Sequence, residues 1–339
     1  MLNDKSSFLV TGVAGFIGSA LVKRLLKNGN KIVGLDNMNN YYDKSLKESR
    51  LRNIELISSK FKGKFTFYKC SLEDKSLLES IFVKEKPDIV VHLAAQAGVR
   101  YSIDNPNAYF QSNLIGFGNI LESLRKISIK NFIFASSSSV YGESRDLPFK
   151  EDQFVDKPVS LYAATKKSNE LLAYSYSHLY KLPTIGLRFF TVYGPWGRPD
   201  MAPYIFLESM LLNKTIKIYN YGKMRRDFTY IDDVIEGLFR CCFKPVLDNK
   251  SSSYLEKSAP FKIFNIGNGN PIQLMDFIKT LESKLGFEAI KEYLPIQKGD
   301  VIETFADTSE LQKWINFYPE TSIEKGLDEF INWYKSYHS

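Results

Sequence analysis

The sequence predicts an α/β fold in which a doubly wound parallel sheet is followed by a smaller α/β domain. Three observations predict it. Short apolar strand patterns alternate with helical ones over about the first 190 residues, a glycine-rich turn follows the first strand, and the second strand ends on an acid, Asp36. Strands that are apolar along their whole length are those that helices cover on both faces. Alternation with helices makes neighbouring strands parallel.

Ser7–Val10 reads as the first strand, Ile17–Asn28 as a helix and Lys31–Leu35 as the second strand. Phe65–Lys69, Ile89–Leu93, Asn131–Ala135 and Thr184–Phe189 read as further strands. Lys75–Lys84, Pro106–Arg125 and Leu161–Tyr180 read as the helices between them. After about Tyr193 the rhythm loosens. Gly194-Pro195-Trp196-Gly197-Arg198-Pro199 is a loop by its turn residues. A helix over about Met201–Asn213, a strand at Ile216–Ile218 and a turn at Tyr221-Gly222 are expected next. A helix over Ile231–Cys242 offers Asp232 and Asp233 as caps, and polar Leu247–Ser253 reads as a surface loop.

The 339 residues suffice for about two domains and a large core. A hydrophobic content of 44% with 24% charged residues describes a soluble globular chain. Stretches such as Ile89–Ala95 fall far short of the ~20 apolar residues of a membrane span. No secretory leader is apparent, so a cytoplasmic protein is expected. Cys70, Cys241 and Cys242 make no disulfide framework, and three scattered histidines argue against a metal site. Subtracting 38 acidic from 45 basic residues leaves +7, spread along the chain without a block. That favours a small anionic ligand over a nucleic acid partner, and no membrane partner is expected.

Gly12-x-x-Gly15-x-x-Gly18 closes the first strand and opens the first helix. Glycines there let the backbone approach a pyrophosphate, and the helix N-terminus supplies N–H donors. By themselves such glycines also fit an ordinary strand–helix turn. Asp36, 18 residues after Gly18, adds an acceptor for both hydroxyls of an adenosine ribose and repels a 2′-phosphate. Together they predict NAD in a Rossmann-like domain.

Tyr162 and Lys166 stand at i and i+4 on one helix face. A nearby ammonium is expected to lower the phenol's pKa. Tyr219 and Lys223 share the spacing, but Gly222 between them argues for a turn. The strand ending at Ala135 runs into Ser136-Ser137-Ser138-Ser139. In a doubly wound sheet this end faces the ligand crevice, although serines there also suit a turn or cap.

These residues, with His92-Leu93-Ala94-Ala95, resemble the extended short-chain dehydrogenase/reductase family, and within it the nucleotide-sugar epimerases acting on UDP-glucuronate. The narrower resemblance rests on residues 95–102, 158–167, 188–201 and 219–230, and it covers nearly the whole chain. It implies Ser137, Tyr162 and Lys166 as the catalytic trio around tightly bound NAD⁺. Gly12, Gly15, Phe16, Ile17, Gly18, Asp36, Asn37, Ser71, Leu72, Leu93, Ala94 and Ala95 would hold the cofactor, with Tyr162 and Lys166. Ser71 departs from the pattern, since many relatives carry Asp at this position, near the adenine; serine offers a hydroxyl in its place. Ser137, Ser138, Ser139 and Thr191 would line the sugar. Arg198 would pair with the uronate carboxylate, Arg100 and Arg226 would serve the UDP-sugar, with Arg226 at the diphosphate, and Asp300 would meet the uridine ribose. As isolated residues, Arg198 also fits an ordinary loop and Asp300 a turn cap.

The reaction implied is C4 inversion of UDP-glucuronate to UDP-galacturonate through a 4-keto sugar, supplying surface polysaccharide. Related dehydratases and decarboxylases carry carboxylates where this chain has Ser138 and Ser139. The alternatives are an epimerase of neutral UDP-hexoses, a UDP-glucuronate decarboxylase, and a non-catalytic NAD-sensing or RNA-binding module. The resemblance further implies an NAD-binding domain over 1–190, to which segments in 231–266 return, and a UDP-sugar domain over 191–339. It also implies a homodimer paired through Pro106–Arg125 and Leu161–Tyr180.

Overall fold

The computed structural model describes residues 5–247, 259–297 and 299–339. Its centre is a seven-stranded parallel sheet. In spatial order the strands are Phe261–Ile266, Thr184–Phe189, Asn131–Ser137, Ile89–His92, Ser7–Thr11, Lys31–Asp36 and Lys64–Lys69. The chain builds outward from Ser7–Thr11 in one direction, then crosses back to Ile89–His92 and builds in the other. Ligands of such sheets bind at that reversal, beyond the strands' C-terminal ends. The register brings those ends level: Thr11 lies beside both Leu35 and His92, and Ser137 beside Phe189.

Successive strand residues point to opposite faces, so each strand feeds two cores. Phe8, Val10, Ile133 and Ile185 pack with Leu21, Val22 and Leu25 of helix Phe16–Lys27. Leu9, Val90, Phe132 and Phe134 pack on the other side with Ile81, Phe82, Phe117 and Ile120. Burial on both faces explains the unbroken apolar runs inside the inner strands, such as Phe8–Val10, Ile89–Val91 and Phe132–Ala135, with most polar residues at strand ends or on the edge strands.

Beyond Phe189 the chain makes small paired strands that stack beside the sheet's C-terminal edge. Thr191–Tyr193 pairs parallel with Phe228–Tyr230, Ile216–Ile218 parallel with Lys291–Tyr293, and Arg225–Arg226 antiparallel with Ile272–Gln273. Helices Ala202–Leu211, Leu274–Leu285 and Ile323–His338 cover them. Among the described residues no helix is long and apolar enough to cross a membrane.

Most expected elements are present within a residue or two of their ends, and two expectations change. The helix over Pro106–Arg125 is interrupted: Pro106–Tyr109 and Gly116–Leu124 flank a π-helical turn, Phe110–Ile115. Asp232 and Asp233 do not cap helix Ile231–Cys242. They lie inside its first turn behind Tyr230, where their charge suits the helix dipole. Helices Lys44–Lys60, Leu274–Leu285, Ser309–Ile315 and Ile323–His338 had no counterpart in the sequence reading. The turn at Tyr221-Gly222 is a single 3₁₀ turn, Tyr219–Gly222, with Asn220 and Tyr221 in left-handed conformations, so Tyr219 and Lys223 share no helix face. The loop expected over Leu247–Ser253 lies, after Leu247, outside the described residues.

Candidate active site

A cavity of about 910 Å³ runs along the sheet's C-terminal edge, from Asp36 at one end to Asp300 at the other. The glycine turn forms its floor. Gly12 has φ +75°, and a Cβ there would sit 2.8 Å from the Ala94 nitrogen. A Cβ on Gly18 would sit 2.1 Å from the Gly12 oxygen. Only glycines let the turn, the strand end and the first helix approach so closely. Helix Phe16–Lys27 starts at Gly15 with no side-chain cap and no acid in its first turn, so its N–H groups and dipole are left for an anion. Asp36 is aimed by two backbone donors: Ala14 N–H at 3.0 Å and Met38 N–H at 2.9 Å. Asn37, Leu72, Leu93, Ala94 and Ala95 line the same end. Cradle, helix N-terminus and acceptor together fit a dinucleotide.

Ser71 is the one expected cofactor residue outside this lining. Its hydroxyl is turned to Glu73, and Cys70 and Leu72 face the cavity instead.

The catalytic candidates meet at mid-cavity. Helix Leu161–Tyr180 is started by Ser160, whose hydroxyl accepts from Ala163 N–H at 3.1 Å. Tyr162 therefore falls in its first turn and Lys166 one turn later. Lys166 is buried and donates to the Ala135 carbonyl at 2.7 Å. Burial depresses its pKa to about 8, with the Glu170 carboxylate pulling the other way. The Tyr162 phenol is pushed above its ordinary value by burial, opposed by a hydrogen bond with Ser137 and by the charge of Arg198. This corrects the expectation that Lys166 makes Tyr162 acidic: the ammonium is 6.0 Å from the ring centroid and is committed to Ala135. Ser137 Oγ accepts from Ser139 N–H and Ser139 O–H at 3.2 and 2.9 Å.

The sugar-lining candidates Ser138, Ser139 and Thr191 line the same cavity as Arg198. Arg198 Nε donates to Asp200 Oδ1 at 3.0 Å and Nη2 donates to Asp200 Oδ2. Tyr41 O–H reaches the same Oδ2 at 3.0 Å. Burial works against both charges, but each holds the other ionised: the guanidinium pKa is raised and that of Asp200 lowered. Arg226 spends its guanidinium on the carbonyls of Arg225, Val301 and Ile302, which fixes the loop carrying Asp300. Asp300 and Arg100 pair with each other at 2.8 Å across the cavity mouth.

Three residues with evident positioning roles escaped the sequence reading. Asn113, in the π-helical turn, accepts from Gln96 N–H at 2.8 Å and donates to the Gln96 carbonyl and to Thr165 Oγ1, both at 3.0 Å. It thus locks the loop after strand Ile89–His92 to the Tyr162 helix. Buried Arg50 donates to the carbonyls of Ala14, Trp196 and Gly197 and to the Tyr42 hydroxyl. It ties the glycine turn to the loop that presents Arg198. Tyr41 had no local signal at all.

Known proteins resemble this chain along nearly its whole length. The model of the NAD dependent epimerase/dehydratase family matches residues 8–267. The chain is 52% identical to the protein CapI of Staphylococcus aureus over 335 residues, 97% of this chain and 98% of that one. It is 46% identical to a probable UDP-glucuronate 4-epimerase of Rhizobium meliloti, with 96% of each chain covered. A crystal structure of UDP-glucuronic acid 4-epimerase from Bacillus cereus, in complex with UDP-glucuronic acid and NAD, superposes with a TM-score of 0.86. That match has 33% sequence identity and covers 98% of this chain and 99% of the other.

Proposed function

Since the chain belongs to the NAD dependent epimerase/dehydratase family, we propose that it is the C4 epimerase that interconverts UDP-glucuronate and UDP-galacturonate. The observation that carries this reading is the placement of Arg198. A guanidinium lines the same cavity as Tyr162, Lys166, Ser138, Ser139 and Thr191, and its charge acts on the Tyr162 phenol, as it would on a C6 carboxylate two carbons from the reacting C4. The relatives named for UDP-glucuronate support the same substrate.

NAD, when bound, supplies reversible hydride exchange at its nicotinamide, and the protein supplies position and proton transfer. Gly12, Gly15, Gly18 and the Phe16–Lys27 N-terminus hold the pyrophosphate. Asp36 takes the adenosine ribose hydroxyls, and Lys166 the nicotinamide ribose. Tyr162 accepts the proton of the sugar 4-hydroxyl as C4 is oxidised to a carbonyl, and returns it after the keto sugar has turned over. Ser137, with both lone pairs engaged by Ser139, gives its own proton to the Tyr162 oxygen and so favours the ionised phenol that accepts the sugar proton. A 4-keto uronate is a β-keto acid and loses CO₂ when its carboxylate is free to align with the carbonyl. Arg198 and its serine and threonine neighbours hold the carboxylate away from that alignment by charge-assisted hydrogen bonds. No carboxylate at positions 138–139 is present to assist decarboxylation.

The family's homodimer is the proposed assembly. Phe110, Ile115, Leu171 and Leu179 lie exposed on the helices expected to pair, and supply an apolar surface for it.

The test is incubation of purified protein with UDP-glucuronate and no added NAD⁺, followed by NMR of the sugars. UDP-galacturonate without CO₂ is the expected product. A UDP-pentose would make the protein a decarboxylase, and turnover of UDP-galactose alone would make it a neutral-sugar epimerase.

A further inference from the structure

Arg198 does not stand free to receive a substrate. Its Nε–Nη2 edge is taken by Asp200, and Tyr41 in turn donates to Asp200. A guanidinium has two edges that fit a carboxylate. Nη1 has no partner among the described residues, so the end-on edge remains for a ligand. Arg198 and Asp200 both line the cavity, with side-chain exposures of 23% and 25%.

Resting on the proposed C4 epimerisation of a uronate, we propose that Asp200, moderated by Tyr41, sets how hard Arg198 grips the sugar carboxylate. Asp200 is thereby the residue that sets discrimination between acidic and neutral sugars.

The charges give the reason. The resting pair is neutral. A uronate carboxylate on the end-on edge makes Arg198 serve two anions, and Asp200 repels the newcomer. An uncompensated Arg198 would bind the uronate more tightly and would penalise a neutral sugar, which leaves a desolvated cation unpaired. An epimerase also needs its keto sugar to leave one pose and take another before reduction. A moderated grip permits that release; a full ion pair resists it. Tyr41 tunes the balance because its hydrogen bond draws charge from Asp200 and weakens it as a competitor. The phenol is well fixed for this: its ring packs on Tyr101 at 4.8 Å, and its oxygen lies 2.7 Å from where a Gly98 Cβ would be. Tyr41 and Asp200 are positioning residues acting through Arg198.

The two substitutions move uronate affinity in opposite directions. With the NAD-loaded protein, titration calorimetry of Asp200→Asn is expected to show UDP-glucuronate bound roughly tenfold more tightly, the scale of one close charge interaction. UDP-glucose is expected to bind more weakly to the same variant. Its turnover number should fall as KM falls, and reduced nicotinamide should accumulate in the near-ultraviolet spectrum during turnover. Tyr41→Phe is expected to weaken UDP-glucuronate by roughly threefold, a fraction of the worth of a hydrogen bond to a charged carboxylate because the effect reaches the sugar only through Arg198, and to leave UDP-glucose unmoved. Parallel shifts for both sugars in both variants would reduce the pair to scaffolding and overturn the proposal, as would weaker uronate binding by Asp200→Asn. If Asp200→Asn does not fold, the Tyr41→Phe selectivity decides alone. Wild-type protein that turns over no UDP-glucuronate would instead sink the functional reading, while the two affinity ratios would still report on Asp200.

Discussion

At the scale of single residues, chemistry and stability pull against each other at Lys166. The folded protein holds its pKa near 8, below the ordinary 10.5. Below about pH 8 the lysine is charged in both states and the fold bears the whole desolvation cost, ~3 kcal/mol. Between 8 and 10.5 the unfolded chain binds more protons, so this group's contribution to stability rises with pH. Lys166→Met is therefore expected to raise the thermal midpoint of the cofactor-free protein at pH 7 and to lose activity. The gain should shrink as pH approaches 10.5, which thermal melts of both proteins across that range would check. Tyr162→Phe should lower turnover by roughly 10²–10⁴-fold, the range of general acid–base catalysis, with an unchanged melting temperature. Gly18→Ala should abolish NAD retention, measured on the purified protein, because its Cβ would collide with the Gly12 carbonyl. These residues were legible because their meaning is local: a turn, an i,i+4 pair, a strand end. Tyr41 and Asp200 were not, since their bond joins positions 159 apart.

At the scale of elements, the helices that alternate with the early sheet strands were mostly legible, whereas Leu274–Leu285 and Ile323–His338, each with a buried apolar face but set among short irregular strands, were not. Helix Leu161–Tyr180 announces itself through Ser160 at its start, and it ends at left-handed Lys181. Helix Lys44–Lys60 is mostly polar, and one of its buried anchors is an arginine, so no apolar stripe marks it. The π-helical turn was hidden for another reason: it depends on Asn113 meeting Gln96 and Thr165, and on its carbonyl accepting from Asn169 at 2.7 Å. The Tyr162 helix is pinned to the sheet by a buried pair, in which Arg188 donates to Glu170 at 2.9 and 3.0 Å and Ser136 donates at 2.6 Å. Glu170→Ala should cost roughly 3–5 kcal/mol in urea unfolding, since it strands Arg188 without its counter-charge.

At the scale of the whole molecule, the parallel sheet and its crevice followed from the alternation of elements, and the crevice's contents from motifs along its rim. The assembly proposed above belongs here. Replacing Leu171 and Leu179 together by Lys should halve the mass seen by light scattering if these helices pair two copies, while the circular dichroism stays native. An unchanged mass would place the contact elsewhere. The small paired strands after Phe189 were only partly legible, because two- and three-residue strands carry almost no periodicity.

The edge strand Phe261–Ile266 has a consequence in time. It lies beside Thr184–Phe189, with Phe261 against Thr184, although the chain between them first makes strands Thr191–Tyr193, Ile216–Ile218 and Phe228–Tyr230 and helices Ala202–Leu211 and Ile231–Cys242. A ribosome that has released only the first six strands has released a sheet with Leu187 and Phe189 on an open flank. That flank is a template for pairing with any neighbouring nascent chain. The interval until residue 266 emerges is the protein's vulnerable period during synthesis. A truncation ending near residue 190 would prolong it indefinitely, and such a fragment should collect in the insoluble fraction when expressed.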